Sequence, residues 1–169
     1  MYSGVRQLLY ENFLNLFKKE YELYCQLQDM AERKQEAIVD NNVEKLTEIM
    51  HNEQELIDKI SDMEEKRREL LAEIAHKQGF EGDKISFQQL FTLFPEEDKA
   101  ELKELKEDFL EVLSDLQTTN ESNRQLIEDS LKINNFTLQL IRQAAGKNVT
   151  YKKPGKKDEG SDHIIDRRA

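Results

Sequence analysis

The sequence predicts an all-α protein: an elongated antiparallel three-helix bundle or coiled coil, with a short extra helix before a long third helix and a flexible C-terminal tail. Charged residues make up 36% of the chain, Trp is absent, and Leu, Glu, Lys, Gln and Ile, which suit helices, dominate. Helix breakers are scarce, with six Gly and two Pro in 169 residues. So few breaks indicate long helices.

The first helix is predicted over residues 5–39, because its apolar residues recur at spacings of three and four. Aromatic side chains are frequent on the inner face of its first half. The next residues, Asp40-Asn41-Asn42, should end the helix, since Asp and Asn side chains compete for backbone hydrogen bonds and accept turn geometry. Asn41 with Glu44 resembles a capping box, so a second helix should follow and form a hairpin with the first.

The second helix is predicted over residues 43–78 on the same apolar spacing. Glu53 and Arg67 fall on the apolar stripe of this helix although both are charged. Gly79 suits the position just after the last turn, where the backbone takes a positive φ that glycine tolerates. Residues 80–85 are then predicted to form a loop.

A short helix is predicted over residues 86–93. Ser86 and Gln89 match a second capping box at its start. The helix must stop near Phe94, because the residue before Pro95 is disfavoured in helical geometry. Its aromatic residues are expected to cover one end of the bundle.

The third long helix is predicted over residues 96–145, with acidic residues in its first turn that complement the helix dipole and no breaker before Gly146. At 1.5 Å per residue this helix would be about 75 Å long, whereas the first two would each be about 53 Å. One helix is therefore longer than its partners can cover. The helices define a bundle domain over residues 1–146, and residues 147–169, with little to bury, are expected to form a flexible basic tail.

The formal charge of −10 is unevenly distributed, because residues 147–169 carry a local charge of +3 and the rest of the chain about −13. An acidic body opposes binding to nucleic acid or to anionic membranes. The single Cys25 cannot form an internal disulfide, no signal peptide is recognisable, and no stretch approaches 18 uncharged apolar residues. We expect a soluble cytoplasmic protein without direct membrane insertion and without a nucleic-acid partner.

Catalytic and metal-binding arrangements are not favoured. Two Glu-x-x-His pairs of the kind found in di-iron bundles lie about 37 Å apart on one helix, away from its apolar stripe. They are Glu48 with His51 and Glu73 with His76. Cys25 has no neighbouring cation that would activate its thiol, and the chain has no glycine-rich phosphate loop. We therefore predict no enzyme activity, no metal and no cofactor.

The two halves of the third long helix differ in apolar width and in charge. From Leu102 to Leu116 the apolar residues fall within an arc of about 100°, whereas from Leu126 to Ala145 they cover about 220°. Residues 96–121 contain ten acidic residues and three lysines, but residues 122–145 contain two acidic and three basic residues. The C-terminal half is thus a neutral, broadly apolar helix.

A broad apolar arc suggests a docking site for a partner helix or for a second copy of the chain. The alternative is that the arc is buried against the N-terminal half of the first helix. Where the two halves meet, Asn120 and Asn123 fall within the packing seam, with Thr119 at its edge. Buried amides could fix the register of the helices at some cost in stability, or the bundle could open there and admit water.

The residues from Asn120 to Leu131 read NESNRQLIEDSL, in which Asn120, Asn123 and Arg124 are the distinctive polar positions. This run resembles the NxxNRxLIxxSL signature of the FlgN family of flagellar type III export chaperones. Further similarities, which cover nearly the whole chain, lie at Lys34, Ala37 and Ile38 before the Asn turn, at Glu44-Lys45-Leu46, at Glu53, at Arg67-Arg68-Glu69-Leu70-Leu71, and at Thr150-Tyr151 with Gly155.

The resemblance implies a chaperone that binds the C-terminal segments of hook-filament junction (hook-associated) proteins, prevents their premature assembly and delivers them to the type III export gate. It also implies that Tyr151 docks on the export-gate membrane protein. The residues that it implies in client contact are Leu126, Ile127, Leu131, Ile133, Phe136, Leu138, Leu140 and Ile141. Which hook-associated protein is the client stays open.

Two other classes of protein fit parts of the sequence. A self-associating coiled-coil scaffold without a secretion client would use the broad apolar arc for a homodimer or a larger assembly. An enzyme with a metal in the bundle core is the less favoured class, for the reasons given above. Light scattering would detect the self-association, and unchanged stability of a metal-free preparation would argue against the metal.

Overall fold

The computed structural model describes residues 2–80 and 85–147, and every regular element within them is an α-helix. Helix α1 spans Tyr2–Val39, α2 Val43–Gln78, α3 Phe87–Leu93 and α4 Glu96–Lys147. The all-α prediction is confirmed, although α1 begins at Tyr2 rather than at residue 5. The chain divides into two compact units, Met1–Ser130 and Leu131–Ala169. Of the predicted tail, residues 148–169 lie outside the described residues.

The turn between α1 and α2 uses two asparagines for two different tasks. Asn41 has a φ of 51°, and the backbone N–H groups of Asn41 and Asn42 donate to carbonyls in the last turn of α1, which makes a Schellman motif. Asn42 caps α2, because its Oδ1 accepts from the N–H of Lys45 at 2.9 Å. The predicted capping box of Asn41 with Glu44 is therefore wrong. Asn41 is in the left-handed conformation that ends α1, and Asn42 is the N-cap of α2.

The end of α2 and the start of α3 follow the sequence signals. Gly79 has a φ of 74°, and its N–H and that of Phe80 donate to carbonyls in the last turn of α2. At α3 the capping box is complete: the Ser86 Oγ accepts from the N–H of Gln89 at 3.2 Å, and the Ser86 N–H donates to the Gln89 Oε1 at 2.9 Å. Local hydrogen bonds therefore set both the end of α2 and the start of α3.

The larger core of the first unit forms where the four helices meet. The ring of Phe94, just after α3, lies 4.9 Å from that of Tyr10 and 5.9 Å from that of Phe13. Leu90 of α3 is 2% exposed, so this short helix covers the core rather than lying on the surface. The buried members of the cluster are Leu9, Tyr10, Phe13, Leu14, Ile74, Leu90, Phe94, Leu102 and Leu105.

Side-chain pairs give the directions of the long helices within the first unit. α2 runs opposite to α1, as three pairs show: Glu20 with Arg67, Tyr24 with Glu64, and Lys34 with Glu53. α4 runs in the same direction as α1, as three others show: Lys18 with Glu101, Gln28 with Thr119, and Gln35 with Ser122. A second core cluster joins these three helices and consists of Leu27, Ala31, Leu56, Ile60 and Leu116.

The uncharged side chains of α4 that are buried or half-buried in the first unit recur at alternating steps of three and four. We call this row the α4 seam, and it consists of Leu102, Leu105, Phe109, Val112, Leu116, Thr119, Asn123, Leu126 and Ser130. The steps make a seven-residue repeat of the coiled-coil type. The prediction that Asn120 lies in the seam is wrong, because a straight projection at 100° drifts by about 20° per heptad and Thr119 takes the inner position.

The two charged residues on the apolar stripe of α2 are both paired with α1. Arg67 donates from Nε to the Glu20 Oε2 at 2.7 Å, and the Glu20 side chain is only 2% exposed. Glu53 pairs with Lys34. Burial raises the pKa of Glu20, because desolvation of the carboxylate outweighs the opposing effect of Arg67. Loss of one partner would leave the other charge without its counterion in a partly dry site.

The raised pKa predicts how Glu20 makes stability depend on pH. Because the folded pKa exceeds the ordinary value of 4.5, the folded state binds more protons at Glu20 than the unfolded state does. The free energy of unfolding of wild type relative to Glu20→Gln should be greatest below about pH 4.5 and should fall as the pH rises through the folded pKa. Urea denaturation followed by circular dichroism at a series of pH values measures this difference.

The control for this prediction is Glu22→Gln on the exposed side of the same helix. That variant should stay within about 0.5 kcal/mol of wild type at neutral pH. A wild-type advantage over Glu20→Gln that grows as the pH rises would contradict the prediction.

Candidate functional site

The second unit presents a broadly apolar helical surface over residues 131–147, the C-terminal part of α4. Its large apolar side chains are between 49% and 65% exposed. We call them the C-terminal surface, and they are Leu131, Ile133, Phe136, Leu138, Leu140 and Ile141. The alternative that this part of the apolar arc is buried in a core is wrong, because each side chain is about half in solvent.

Two apolar stripes, together with Phe136 on the other side of the first stripe, make up this surface. The three-and-four repeat of the α4 seam continues in the sequence through Ile133, Thr137, Leu140 and Ala144. A second stripe, about 100° away around the helix, contains Leu131, Leu138, Ile141 and Ala145. One stripe suffices for a single helix–helix contact, so this surface can contact a bound segment on two sides.

The rest of the circumference of this helix is polar and carries no negative charge. Its residues are Lys132, Asn135, Gln139, Arg142 and Gln143. No acidic residue occurs in the sequence between Asp129 and Asp158. The second unit thus differs from the acidic remainder of the chain in charge as well as in exposed apolar area.

Leu126 and Ile127 differ from the other six residues predicted to contact a client. Both belong to the first unit. Leu126 lies in the α4 seam and is half-buried, whereas Ile127 is 40% exposed. The structure therefore places six of the eight predicted residues on one continuous exposed surface and leaves Leu126 with a packing role in the first unit.

Asn123, the second asparagine of the signature, is a buried polar contact between α4 and α1. Its side chain is 2% exposed, and its Nδ2 donates to the backbone carbonyl of Ala31 at 2.8 Å. Among the described residues its Oδ1 has no hydrogen-bond partner. α4 is unbroken here, so of the two predicted arrangements the structure shows a buried amide in a continuous helix rather than an opened bundle.

Two glutamines of α1, which the sequence patterns do not single out as contact residues, extend this polar contact. The Gln28 Nε2 donates to the Thr119 Oγ1 at 3.1 Å, and the Gln35 Nε2 donates to the Ser122 Oγ at 2.7 Å. Gln28 and Gln35 are seven residues apart, which is the one signal in the sequence that they share a face of α1. The pairs fix the axial position of α1 against α4, because amide–hydroxyl bonds need a specific register.

Arg124 holds a local cluster of charges on the exposed side of α4. Its Nη2 and Nε donate to the two carboxylate oxygens of Glu121, and its Nη1 donates to the Glu128 Oε1 at 2.8 Å. The bidentate contact keeps the pKa of Glu121 below its ordinary value. All three residues are on one helix and in solvent, so the cluster contributes little to stability and mainly supports the helix locally.

A cleft of about 220 Å³ lies between α1, α2 and α4 in the first unit. It is lined by Phe17, Glu20, Tyr24, Glu64, Arg67, Lys106, Phe109, Leu110 and Leu113. Its carboxylates are engaged, because Arg67 binds Glu20 and the Tyr24 hydroxyl donates to the Glu64 Oε1 at 2.8 Å. Burial and this hydrogen bond raise the pKa of Tyr24. Within this lining the two carboxylates and the tyrosine hydroxyl therefore join α1 to α2.

The Glu-x-x-His pairs of α2 are surface features. His51 and His76 are exposed, and the His51 Nε2 lies 3.5 Å from the Glu55 Oε1. Within residues 2–80 and 85–147, no group of three or more His, Cys, Asp or Glu side chains is arranged to hold a metal ion. In the same ranges no helix has a stretch long and apolar enough to cross a membrane. Tyr151 and His163 lie outside the described residues.

Comparison with known proteins gives one match. A family model described as FlgN protein matches residues 1–159. Neither the curated proteins nor the solved structures contain a significant match to the chain.

The contrast between the two signature asparagines predicts different effects of the same substitution. Asn123→Ala should lower the free energy of unfolding by about 1–2 kcal/mol, because it removes a buried hydrogen bond and leaves a small void. Asn120→Ala, on the exposed side of the same helix, should stay within about 0.5 kcal/mol of wild type. Urea denaturation of both variants gives the comparison, and equal losses would show that the seam does not run through Asn123.

Proposed function

The chain belongs to the FlgN family, a family of flagellar export chaperones, and from this premise we propose its specific role. It binds the C-terminal segments of hook-filament junction (hook-associated) proteins in the cytoplasm. It prevents their premature assembly and delivers them to the type III export gate. The observation that carries this proposal is the C-terminal surface, an exposed and broadly apolar helix of the second unit.

The mechanism is one of holding rather than of catalysis. A client segment that assembles through helical contacts is kept from its own partners while its apolar face lies on the C-terminal surface. Burying the exposed half of each large side chain contributes on the order of 1 kcal/mol, and the entropy of association offsets much of the sum. The six side chains together contribute less than the roughly 8 kcal/mol of a micromolar complex, so we expect weak binding, which suits a client that must later be released.

The first unit serves in this proposal as a scaffold. Opposed directions of α1 and α2, with α4 parallel to α1, support an antiparallel three-helix bundle in the first unit. Residues 147–169 are proposed as a flexible basic tail that carries Tyr151, the residue that the family likeness implies in docking to the export-gate membrane protein. Client binding and delivery would then use different parts of the chain.

A second candidate function uses the same surface. Two copies could pair through the C-terminal surface to form a coiled-coil scaffold without a client, because exposed seven-residue repeats favour self-association. Light scattering over a range of concentrations distinguishes the two functions. If a client segment dissociates the homodimer into monomers, the result supports the chaperone. If the homodimer persists and binds no client segment, the result supports the scaffold.

Charges at the two ends of the C-terminal surface should weaken client binding strongly without unfolding the protein. We expect the double variant Leu131→Asp with Ile141→Asp to lose at least about tenfold in affinity for the C-terminal segment of a hook-associated protein, because two desolvated carboxylates cost more than 1.4 kcal/mol. Co-purification of the co-expressed segment and isothermal titration measure the loss. Circular dichroism should show an unchanged melting temperature, since both positions are exposed.

The matched control is Leu110→Asp with Ile57→Asp, which makes the same changes at exposed apolar positions of the first unit. This control should retain the client. Retained binding by the Leu131/Ile141 double variant would refute the proposed site.

Tyr151→Ala should separate client binding from delivery. We expect unchanged affinity for the client segment, because Tyr151 is outside the C-terminal surface, and a severalfold reduction in the secretion of hook-associated proteins. Tyr151→Phe serves as the control, since it keeps the ring and removes only the hydroxyl. A loss of client affinity in Tyr151→Ala would instead assign this residue to the client site.

A further inference from the structure

The C-terminal surface lies in a part of the chain that has only positive charges. Between Asp129 and Asp158 the sequence contains seven basic residues and no acidic one, although the chain as a whole carries a charge of −10. Two of the seven, Lys132 and Arg142, lie on the described helix, and by helical spacing Arg142 adjoins the stripe that contains Leu138. The local sign of charge is thus opposite to that of the whole chain.

Arg142 has no carboxylate within reach on its own helix. The residues three and four positions away from it are Leu138, Gln139, Ala145 and Gly146, none of which is charged. Arg124, in the first unit, shows the contrast, because it binds Glu121 and Glu128 at the same spacings. The guanidinium of Arg142 is therefore available, beside an exposed apolar stripe, to a carboxylate from another molecule.

We propose that this surface selects acidic amphipathic helices, in which one apolar face is flanked by Asp or Glu. The inference rests on the proposed function and adds the charge of the client to it. The apolar face covers the C-terminal surface, and a flanking carboxylate lies against Arg142. Complementary charges at the rim of an interface contribute to partner choice more than to affinity. An acidic segment is also repelled by the acidic remainder of the chain, which favours this surface over other sites.

An anionic membrane is the other partner that cations beside an apolar arc can suit. Three observations favour a protein helix. The polar sector of the described helix contains mostly amides rather than a row of Lys and Arg, Trp is absent from the chain, and the net charge of −10 opposes approach to an anionic bilayer. The alternating steps of three and four also match the packing of one helix on another.

Two synthetic helical peptides test the proposal with the full-length protein. They share one apolar face and differ only in their flanks, which carry Glu in one peptide and Lys in the other. Isothermal titration should give about tenfold tighter binding of the Glu peptide in about 0.1 M salt, and the preference should largely vanish in about 1 M salt, where the Debye length falls from about 10 Å to about 3 Å. Phosphatidylglycerol vesicles are titrated in parallel.

Charge reversal locates the effect. Arg142→Glu should lower the affinity for the Glu peptide about threefold to tenfold and raise that for the Lys peptide. Arg33→Glu, which makes the same change at an exposed position of α1, should leave the preference between the peptides intact. An unchanged preference in Arg142→Glu would overturn the proposal.

Three further outcomes separate this inference from the proposed function. Equal affinity for the two peptides, with client binding still lost in the Leu131/Ile141 double variant, overturns the charge selectivity and leaves the chaperone assignment standing. Failure of both peptides to bind overturns the inference, and co-purification of the client then decides the proposed function on its own. Binding to phosphatidylglycerol vesicles but not to the Glu peptide overturns the inference in favour of a membrane partner.

Discussion

The seven-residue repeat along α4 is the constraint on which the other features depend. It places Leu102, Leu105 and Leu116 in the two core clusters of the first unit, and it brings Asn123 to the carbonyl of Ala31. The same spacing continues into the second unit, where the side chains are exposed. Folding and the proposed client binding would thus use one geometry, because a row of side chains spaced to pack on a helix keeps that spacing where it is exposed.

Polar residues of α4 bond to α1 near the position where the seven-residue repeat passes from buried to exposed side chains. Thr119, Ser122 and Asn123 all bond to α1, and each contact is specific in direction, unlike the apolar contacts before them. An apolar row alone would tolerate a shift of α1 by one heptad, whereas an amide paired with a particular carbonyl does not. We infer that these residues fix where the α1–α4 contact stands in register, at the cost of a buried acceptor on Asn123 that is left without a partner.

Features with local causes could be predicted from the sequence, and those that depend on a partner helix could not. The ends at Gly79 and Ser86 rest on backbone rules that act within a few residues, so they were predicted correctly. The cap at Asn42 was missed because three adjacent Asx residues offer equivalent local choices. Exposure of residues 131–141 followed from the width of the apolar arc, but the half-buried state of Leu126 depends on what packs over it.

Side-chain pairs between different helices could not be predicted from the sequence either. Arg67 could be recognised as a charge on an apolar stripe, yet nothing local identified Glu20 as its partner, since the two lie on different helices. Gln28 and Gln35 likewise resemble ordinary surface residues until α4 is placed beside them. Asn120 was misplaced because a straight projection ignores the slow drift between 3.6 and 3.5 residues per turn.

Exposed apolar side chains on an acidic protein have a consequence for the colloidal behaviour of the free chaperone. The C-terminal surface invites aggregation, while a net charge of −10 makes copies repel one another and slows their encounter. In the proposed complex, a client would cover the exposed apolar area without removing the charge. Such a complex should then remain dispersed at concentrations at which either component alone would precipitate.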